Sequence, residues 1–565
     1  MTAVEKRTRR DTVLRWLARR RPDMKFQPSV WVATLSVLVA TAIHAYVAWT
    51  PDGPLISADE IGAVGNAATL AHGAPPWILT GNGYMPGMGS LLAPLWLLTD
   101  DPFLVYRGGL VIGVLLALAA IWPLALLARH VGVSNPAGAV TLAAVITIAP
   151  SRVVQSNYVL SEHLLTLVTA WCAVFAMRAA TSGRLVHFCA VGALAGASFF
   201  THGRGMAVVA AAGVWALLFV RRSWRASTLT ILSAGVTSAA AFVLYRWITH
   251  QMYFRDLRVE ETFFEWWRHS GAELAGTFSG LAWYAMAAWP AIAIGGFGLM
   301  FKRLRRDRGL VFVLLCAGAT VTLALIQLDK SEYFGLQPRI DAWIYGRYID
   351  HILTIAAVIG LSILVRVRSR VVPLVTVVTA TAISGAFLLF TLPNLVVGGK
   401  WVDMHIPGMS FMLSTDNYAE NRPEPWLLLV AIVFAFTVLV LAAARFRAAV
   451  LVLALFWALL AVAFDTTSLD VREGYQRLRP EYSEVFKALP QGSTVDFDSR
   501  YSGDVNFYSF LAYPTKLELK SLDEALADND PYFMTSSSDE RPAEIGAVRE
   551  GERLGFYVLW RLPET

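Results

Sequence analysis

Long runs of apolar residues recur along most of this chain and constrain its fold more than any other feature. Between residues 29 and 465 these runs reach roughly 18 to 25 residues, the length that an α-helix needs to cross the core of a bilayer. Only 16% of the residues are charged, against about 25% in an average soluble protein, and 56% are hydrophobic. The sequence therefore predicts an α-helical polytopic membrane protein.

We predict about thirteen membrane spans from the lengths of the apolar runs. They are residues 29–49, 104–129, 135–150, 158–178, 185–201, 203–220, 227–247, 280–301, 309–327, 347–366, 371–391, 425–444 and 447–464. The first run has about twenty residues, more than the apolar core of a signal peptide, which favours an uncleaved membrane anchor.

Lysine and arginine positions predict the orientation of the spans. Residues 1–28 carry many basic side chains, from Lys6 to Lys25, and such segments stay in the cytoplasm. With an odd number of spans, the other basic loops fall on the same side, at residues 129, 178–184, 221–225, 302–308, 366–370 and 445–447. The net charge of +6 is explained by this topology and does not call for a nucleic-acid partner.

The composition divides the chain into three parts. Residues 1–28 form a basic cytoplasmic segment, 29–465 the membrane domain, and 466–565 a soluble domain that we expect outside the cytoplasm, resting on the membrane domain. In the last part, STVDFD, TKLEL and GFYVLWRL are typical of strands, and residues 480–489, 503–511 and 520–527 of helices. This alternation predicts a small α/β domain.

An acidic pair, Asp59-Glu60, follows the first span in the segment ISADEIGAVGNAATLAHG. The charge pattern puts this pair on the outer face of the membrane, where a carboxylate is able to accept a proton from a substrate. The simpler interpretation of Asp59 is a helix cap or a solvated loop carboxylate. The second acidic pair, Asp100-Asp101, precedes Pro102, and we interpret it as a helix cap rather than as part of a reaction.

Several segments, in this order along the chain, resemble the GT-C superfamily of glycosyltransferases that use polyprenyl-phosphate sugars. This superfamily includes protein O-mannosyltransferases and lipid A aminoarabinose transferases. The resemblance covers roughly residues 30–365. It rests on ISADEIGAVGNAATLAHG, YMPGMGSLLAPLWLL with the span after it, APSRVVQSNYVLSEHLLTLVTAW, GALAGASFFTHGRGMAVV and GRYIDHIL. It implies a GT-C-like fold with a cavity on the outer face and an inverting sugar transfer.

By its position in the motif, Asp59 is the candidate general base, and Glu60 is more a structural acid or a helper than a second base. The leaving polyprenyl phosphate needs a cation, and the planar fork of arginine is able to hold two phosphate oxygens. Candidates for this phosphate-binding role are Arg347, Arg204, Arg152, Lys330 and Arg339, with Arg347 first. Candidate supporting residues are Glu162, His202, Tyr84 and Tyr348.

Other interpretations of these residues stay open at this stage. Glu162 either caps a span or orients a cation in the cavity, Arg347 also suits simple interfacial snorkelling, and His202 also suits a polar residue at a span end. The turn around Pro86 lacks the basic residue that some members of the superfamily place there. The resemblance therefore does not identify the sugar that is transferred. The sequence does not predict a set of metal ligands, and the use of a divalent cation stays open.

The predicted function is transfer of a sugar from a polyprenyl-phosphate donor to a glycan, lipid or protein acceptor of the cell envelope. The alternative is a transporter or flippase of lipid-linked sugars. Transporters place ionisable residues near the middle of the membrane. Here the charges collect at the outer ends of the spans, which favours a surface-facing catalytic cavity.

Overall fold

The computed structural model describes most of the chain. The described residues are 27–54, 58–77, 79, 83–253, 270–289, 307–327, 333–334, 337–338, 340–365, 371–396, 403–413, 422–443, 453, 456–457, 479–502 and 504–563. Two of the predicted phosphate-binding residues, Lys330 and Arg339, lie outside these ranges, as does most of the last predicted span.

Helices dominate the described residues before position 479. In chain order they are α1 Val30–Trp49, α2 Ala58–His72, α3 Gly87–Trp96, α4 Pro102–Ala119, α5 Ile121–His130, α6 Pro136–Thr147, α7 Pro150–Val153, α8 Glu162–Ser182, α9 Leu185–Thr201, α10 Met206–Leu217, α11 Trp224–Met252, α12 Gly271–Ala288, α13 Arg308–Gln327, α14 Asp350–Leu364, α15 Val371–Ala386, α16 Leu392–Leu395 and α17 Glu424–Ala443. Two short paired strands, β1 Tyr333–Phe334 and β2 Gln337–Pro338, precede α14.

Six of the described helical segments are long and apolar enough to cross a membrane, or up to eight if each of two bent pairs is one span. This agrees with a polytopic membrane protein. Several predicted spans coincide with observed helices, for example 29–49 with α1, 185–201 with α9 and 309–327 with α13. The total of about thirteen spans is not confirmed and stays a prediction.

Two sharp bends interrupt the apolar helices where charged residues occur. The segment from α6 to Asn157 bends by 70° before Pro150, and the segment Asp341–Tyr348 meets α14 at 65°. Pro150 has no backbone N–H to donate, and Ala149 before it is extended, so the helix stops and restarts in a new direction. Arg152 lies just after the first bend, and Arg347 lies just before the second.

The start of α4 confirms the capping interpretation of the second acidic pair. The Asp101 carboxylate accepts a hydrogen bond from the backbone N–H of Phe103 at 2.8 Å, and Pro102 occupies the first helical position. A proline is tolerated there because the first N–H groups of a helix have no intrahelical partner.

The C-terminal unit, residues 479–563, is the predicted small α/β structure. It contains helices α18 Pro480–Lys487, α19 Val505–Ala512, α20 Leu522–Ala527 and α21 Arg541–Glu544, and strands β3 Thr494–Asp498, β4 Lys516–Lys520, β5 Tyr532–Ser536, β6 Val548–Leu554 and β7 Tyr557–Arg561. The sheet order is β4-β3-β5-β7-β6, with β4, β3 and β5 parallel and β5, β7 and β6 antiparallel. The predicted strands at β3, β4 and β7 and the three predicted helices are confirmed.

The C-terminal unit packs directly on helices near the start of the chain. One hydrophobic cluster contains Ile61 and Val64 of α2, Leu92 of α3, and Phe510 of α19 together with the sheet residue Phe497. The division into a membrane domain and an outer domain stays a prediction.

Asp496, in the middle of β3, makes the stability of the C-terminal unit depend on pH. Its side chain is fully buried, and burial, with the neighbouring Asp530 carboxyl, raises its pKa to about 7. The Lys520 ammonium lies 3.6 Å away but is bound more closely by Asp530, at 2.5 Å, so it offsets the effect of burial on the Asp496 pKa only in part. The unfolded pKa is about 3.9. From about pH 4 to pH 7 the folded state therefore keeps a proton that the unfolded state has lost, and stability falls as pH rises.

We expect Asp496→Asn to remove this loss of stability at high pH. The variant should melt at a higher temperature than the wild type at pH 8, and the difference should shrink towards pH 5. Thermal unfolding of the full chain in detergent at several pH values measures it. Asp523→Asn, which changes an exposed carboxylate on α20, is the control. A wild-type melting temperature that does not fall between pH 5 and pH 8 would contradict the buried-acid explanation.

Candidate active site

Charged side chains from four separate chain segments meet at one place. Asp59 is in the first turn of α2, and Glu162 is the first residue of α8. Arg204 is in the turn Gly203–Gly205 between α9 and α10, and Arg347 is in the turn Gly346–Tyr348 before α14. Each of them therefore lies at a helix end or in a turn. Backbone polar groups lack intrahelical partners there, so the surroundings of these charged side chains are polar.

Glu162 is the centre of this group. Its Oε1 accepts hydrogen bonds from Arg347 Nε and from Arg204 Nη2, both at 2.5 Å. All three side chains are buried. A buried guanidinium or carboxylate is strongly unfavourable unless it is paired, so each charge depends on the others to stay in place. Glu162 thus contacts two cations, and it also stands in the first turn of α8.

Asp59 contacts Arg347 on the other side of the guanidinium. Its Oδ2 lies 2.7 Å from Arg347 Nη2, and its side chain is 22% exposed, against 4% for Glu162. Arg347 therefore joins a carboxylate at the surface of the cluster to one in its interior. This pairing distinguishes Arg347 from a snorkelling arginine, which would direct its charge towards water.

Arg204 is held more deeply than Arg347. One of its guanidinium nitrogens donates to the backbone carbonyl of Arg347, and its guanidinium carbon lies 5.1 Å from the ring centre of Tyr348. The Nδ1 of His202 accepts from the backbone N–H of Arg204 at 3.1 Å. Arg204 thereby fixes the turn that carries Arg347, while His202 fixes the turn that carries Arg204.

An open pocket adjoins the cluster, and its empty volume of about 360 Å³ includes open solvent. The lining includes charged, aromatic and apolar side chains from α2, α3 and the ends of α8 and α9. These residues are Asp59, Ala63, Tyr84, Met85, Met88, Leu160, Ser161, Thr201, His202, Gly203 and Arg347. Asp59 and Arg347 thus face a space that a ligand is able to enter, with Tyr84 and His202 in the same wall.

Glu60 does not face this pocket. It is fully buried, and its Oε1 accepts hydrogen bonds from the Tyr106 hydroxyl and from the backbone N–H of Val159, both at 2.9 Å. It links α2 to α4 and to the segment before α8. This geometry fits the structural role that the sequence favoured for Glu60.

Arg152 is buried and is not among the residues that line the pocket. Its Nη2 donates to His163 Nδ1 at 2.7 Å, His163 Nε2 contacts Ser156 Oγ at 3.1 Å, and Ser156 Oγ contacts His44 Nδ1 at 2.7 Å. Because a guanidinium only donates, His163 must accept on Nδ1 and carry its proton on Nε2. Arg152 is therefore anchored in a polar chain that reaches α1.

Sequence reasoning missed residues that fix the turn before α14. The Tyr284 hydroxyl donates to Asp350 Oδ2 at 2.9 Å and accepts from the backbone N–H of Gly408 at 2.9 Å. A side-chain carbon at Gly346 would lie 1.8 Å from Tyr284 Cζ, so only glycine fits beside this ring. Asp350 stands inside the quoted motif GRYIDHIL, which was the available signal, whereas nothing in the sequence pointed to Tyr284.

The described residues of the site do not present the set of ligands that a divalent cation prefers. The residues that the structure describes contain no group of three or more His, Cys, Asp or Glu side chains that could hold a metal ion. Asp59 and Glu162 each contact Arg347, so a guanidinium already stands between the two carboxylates. Metal ions of this class prefer several oxygen ligands, which the described pocket does not gather.

The fold is similar to that of a solved structure. ArnT from Cupriavidus metallidurans bound to undecaprenyl phosphate is 15% identical, with a TM-score of 0.56, and the match covers 94% of this chain and 97% of that chain. Its apo-state structure matches with the same values. A weaker likeness is to the Archaeoglobus fulgidus oligosaccharyltransferase in the apo form, which is 12% identical with a TM-score of 0.44 and covers 89% of this chain and 69% of that chain.

No protein-family profile and no curated protein sequence matches this chain. The likeness to ArnT therefore concerns the fold alone.

Neutralising Glu162 should destabilise the protein strongly. Glu162→Gln would leave two buried arginines sharing a neutral partner, and removing one member of a buried ion pair costs about 3–5 kcal/mol. We expect a clear drop in the thermal unfolding midpoint of the purified protein in detergent. Glu424→Gln, an exposed glutamate at the start of α17, is the control and should melt like the wild type. Equal midpoints for both variants would show that the charge of Glu162 does not hold the cluster together.

Proposed function

We propose that this protein is an inverting glycosyltransferase that moves a sugar from a polyprenyl-phosphate donor to a hydroxyl group of a cell-envelope acceptor. The observation that carries the proposal is the contact of Asp59 with Arg347 in the wall of an open pocket. One carboxylate and one guanidinium, side by side in the lining of this pocket, are the two groups that this reaction needs. ArnT, which has the same fold, was crystallised with undecaprenyl phosphate.

In the proposed reaction Asp59 is the general base. It takes the proton from the acceptor hydroxyl while that oxygen forms a bond to the anomeric carbon of the sugar. The bond between this carbon and the phosphate oxygen breaks, and its electron pair leaves with the polyprenyl phosphate. A single displacement of this kind inverts the anomeric centre. The acceptor glycan, lipid or protein gains the sugar, and no further reactant is required.

Arg347 is the proposed cation for the leaving phosphate. Charge on the phosphate grows as the sugar departs, and a preoriented guanidinium stabilises that charge most where water is excluded. Arg347 lines the pocket, whereas Arg204 is held behind it by Glu162 and by the Arg347 carbonyl. We therefore assign Arg204 and Glu162 the role of holding Arg347, and Arg152 a place in the buried polar network. Lys330 and Arg339 remain candidates for further donor contacts.

The proposed location follows the charge pattern of the sequence. The N-terminus lies in the cytoplasm, and the pocket and the C-terminal unit lie outside it, in a membrane domain with about thirteen spans. A donor with its polyprenyl chain in the bilayer then presents its phosphate at the outer surface, where the pocket opens. The acceptor approaches from the extracytoplasmic side.

Replacing the proposed base should slow transfer strongly. We expect Asp59→Asn to lower the rate by about 100-fold to 10,000-fold, the usual contribution of general base catalysis. The assay incubates purified protein with a panel of polyprenyl-phosphate sugars and envelope acceptors and measures released polyprenyl phosphate. Asp52→Asn is the control, because Asp52 is an exposed acid between α1 and α2, with its carboxylate 3.9 Å from the guanidinium of Arg107. Glu60→Gln should lower stability while keeping chemistry in the folded fraction.

The same panel separates the proposal from its alternative. A flippase of lipid-linked sugars would release no polyprenyl phosphate, and its transport would survive Asp59→Asn. A folded wild-type protein that releases none across the panel would overturn the transferase proposal.

Asp59 should also compete with the donor for Arg347. In the structure the Asp59 carboxylate contacts Nη2 of Arg347, and both residues line the pocket, so a phosphate bound by Arg347 must share or displace this contact. We therefore expect Asp59→Asn to bind a polyprenyl phosphate several-fold more tightly than the wild type, because a like charge is removed. Titration of the purified variants with a polyprenyl phosphate measures this, with Asp52→Asn unchanged. Weaker binding by Asp59→Asn would mean that Asp59 orders Arg347 rather than competing for it.

A further inference from the structure

Helix α2 carries Asp59, and Glu60 ties its first turn to α4 and to Val159. The rest of its sequence, ADEIGAVGNAATLAH, consists mainly of small residues, and nearly all of them are buried. The position of the helix therefore also depends on what packs around it. On one side α3 approaches so closely that a side-chain carbon at Gly89 would lie 2.7 Å from Asn66 Cβ. Trp96, at the end of α3, donates its indole N–H to the Val64 carbonyl of α2 at 3.1 Å.

A group of five aromatic residues joins this helix pair to the C-terminal unit, and we call it the aromatic bracket. Trp77 follows α2, Trp96 ends α3 and Phe103 begins α4, whereas Phe510 and Tyr513 belong to the C-terminal unit. The Phe510 ring centre lies 5.7 Å from that of Trp77 and 5.0 Å from that of Phe103. Tyr513 lies 6.0 Å from Trp77 and 5.5 Å from Trp96. Edge-on and tilted aromatic pairs at these distances are attractive and directional.

The far end of the bracket is anchored in the sheet of the C-terminal unit. Phe510 is fully buried and lies on α19, whose Tyr508 packs against Phe497 of β3 and Tyr557 of β7, with ring centres 5.7 and 4.7 Å apart. The Tyr508 hydroxyl also donates to the Leu554 carbonyl at 3.1 Å. Residues of β3, β6 and β7 thus hold α19, and α19 holds the bracket.

None of the residues that line the described pocket belongs to the C-terminal unit; all of them lie between Asp59 and Arg347 in the sequence. In the described part of the chain this unit therefore meets the site through α2, α3 and α4 rather than through the pocket itself.

We propose that the C-terminal unit acts as a clamp on the helix that carries the catalytic base, and that Phe510 is a positioning residue for Asp59. This inference rests on the proposed function of Asp59. Phe510 touches no substrate. It sets the position of α2 by filling the space between Trp77 and Phe103. Because a displacement of about 1 Å at a reacting group costs up to about 100-fold in rate, a loosened bracket should be visible in catalysis.

The test compares two buried phenylalanines of the same unit. Phe510→Ala empties the bracket, whereas Phe533→Ala empties a separate cluster with Leu522, Ala525 and Leu562 that contains no residue of the membrane helices. Both side chains are fully buried, so both variants weaken the unit. At a temperature where both full-length variants remain folded, we expect Phe510→Ala to lower kcat by about tenfold to 100-fold with the KM for the donor within twofold. Phe533→Ala should keep the wild-type kcat, and Phe510→Leu should recover most of it.

Hydrogen exchange gives a second measurement that does not depend on activity. Amides of residues 58–72 should exchange faster in Phe510→Ala than in the wild type, and at the wild-type rate in Phe533→Ala. Equal exchange in α2 for both variants, or equal kcat, would overturn the clamp. If the wild type transfers no sugar, the proposed function fails, and the exchange comparison still decides whether the bracket holds α2.

Discussion

The structure depends on one carboxylate that binds two arginines away from water. Glu162 accepts from Arg204 and Arg347 with a single oxygen, and these residues come from three distant parts of the chain. Ion pairs of this kind rarely add stability compared with an apolar core, but they tolerate almost no misplacement, because an unpaired buried charge is so unfavourable. Their effect is to specify geometry. The start of α8, the turn after α9 and the turn before α14 are forced into one arrangement.

The neighbouring contacts extend this constraint in two directions. Inward, Tyr284 closes on Gly346 and on Asp350, so the turn that carries Arg347 is fixed from behind. Outward, Asp59 links Arg347 to α2, and α2 is held in turn by α3 and by the C-terminal unit. A site built at helix ends and turns thus gains the rigidity that helix interiors have by themselves. This rigidity suits electrostatic catalysis, which relies on groups that need not reorient during the reaction.

Local patterns in the sequence predicted the elements whose formation is itself local. Apolar runs identified α1, α9 and α13, and the Asp-Pro pair identified the cap of α4. In the C-terminal unit β3, β4 and β7 were predicted, but β5 and β6 were not. The three central residues of β5 are all buried, so it lacks alternation, and β6 is a mostly exposed strand rich in charge at the edge of the sheet. The partners of Glu162 and the role of Tyr284 required long-range contacts that no local pattern contains.

The two partners of Arg347 are unequal, and this inequality has a chemical consequence. Glu162 is buried beneath the guanidinium and shared with Arg204, whereas Asp59 is partly exposed in the pocket wall. An anion that enters the pocket therefore exchanges with Asp59 far more readily than with Glu162, because only the Asp59 contact opens to the pocket. Arg347 stays paired throughout, so the exchange avoids an isolated buried charge. Under the proposed function, a carboxylate displaced from Arg347 in this way loses this cationic partner when the donor phosphate binds. Donor binding and the change at the proposed base would then be two consequences of the same ion-pair exchange.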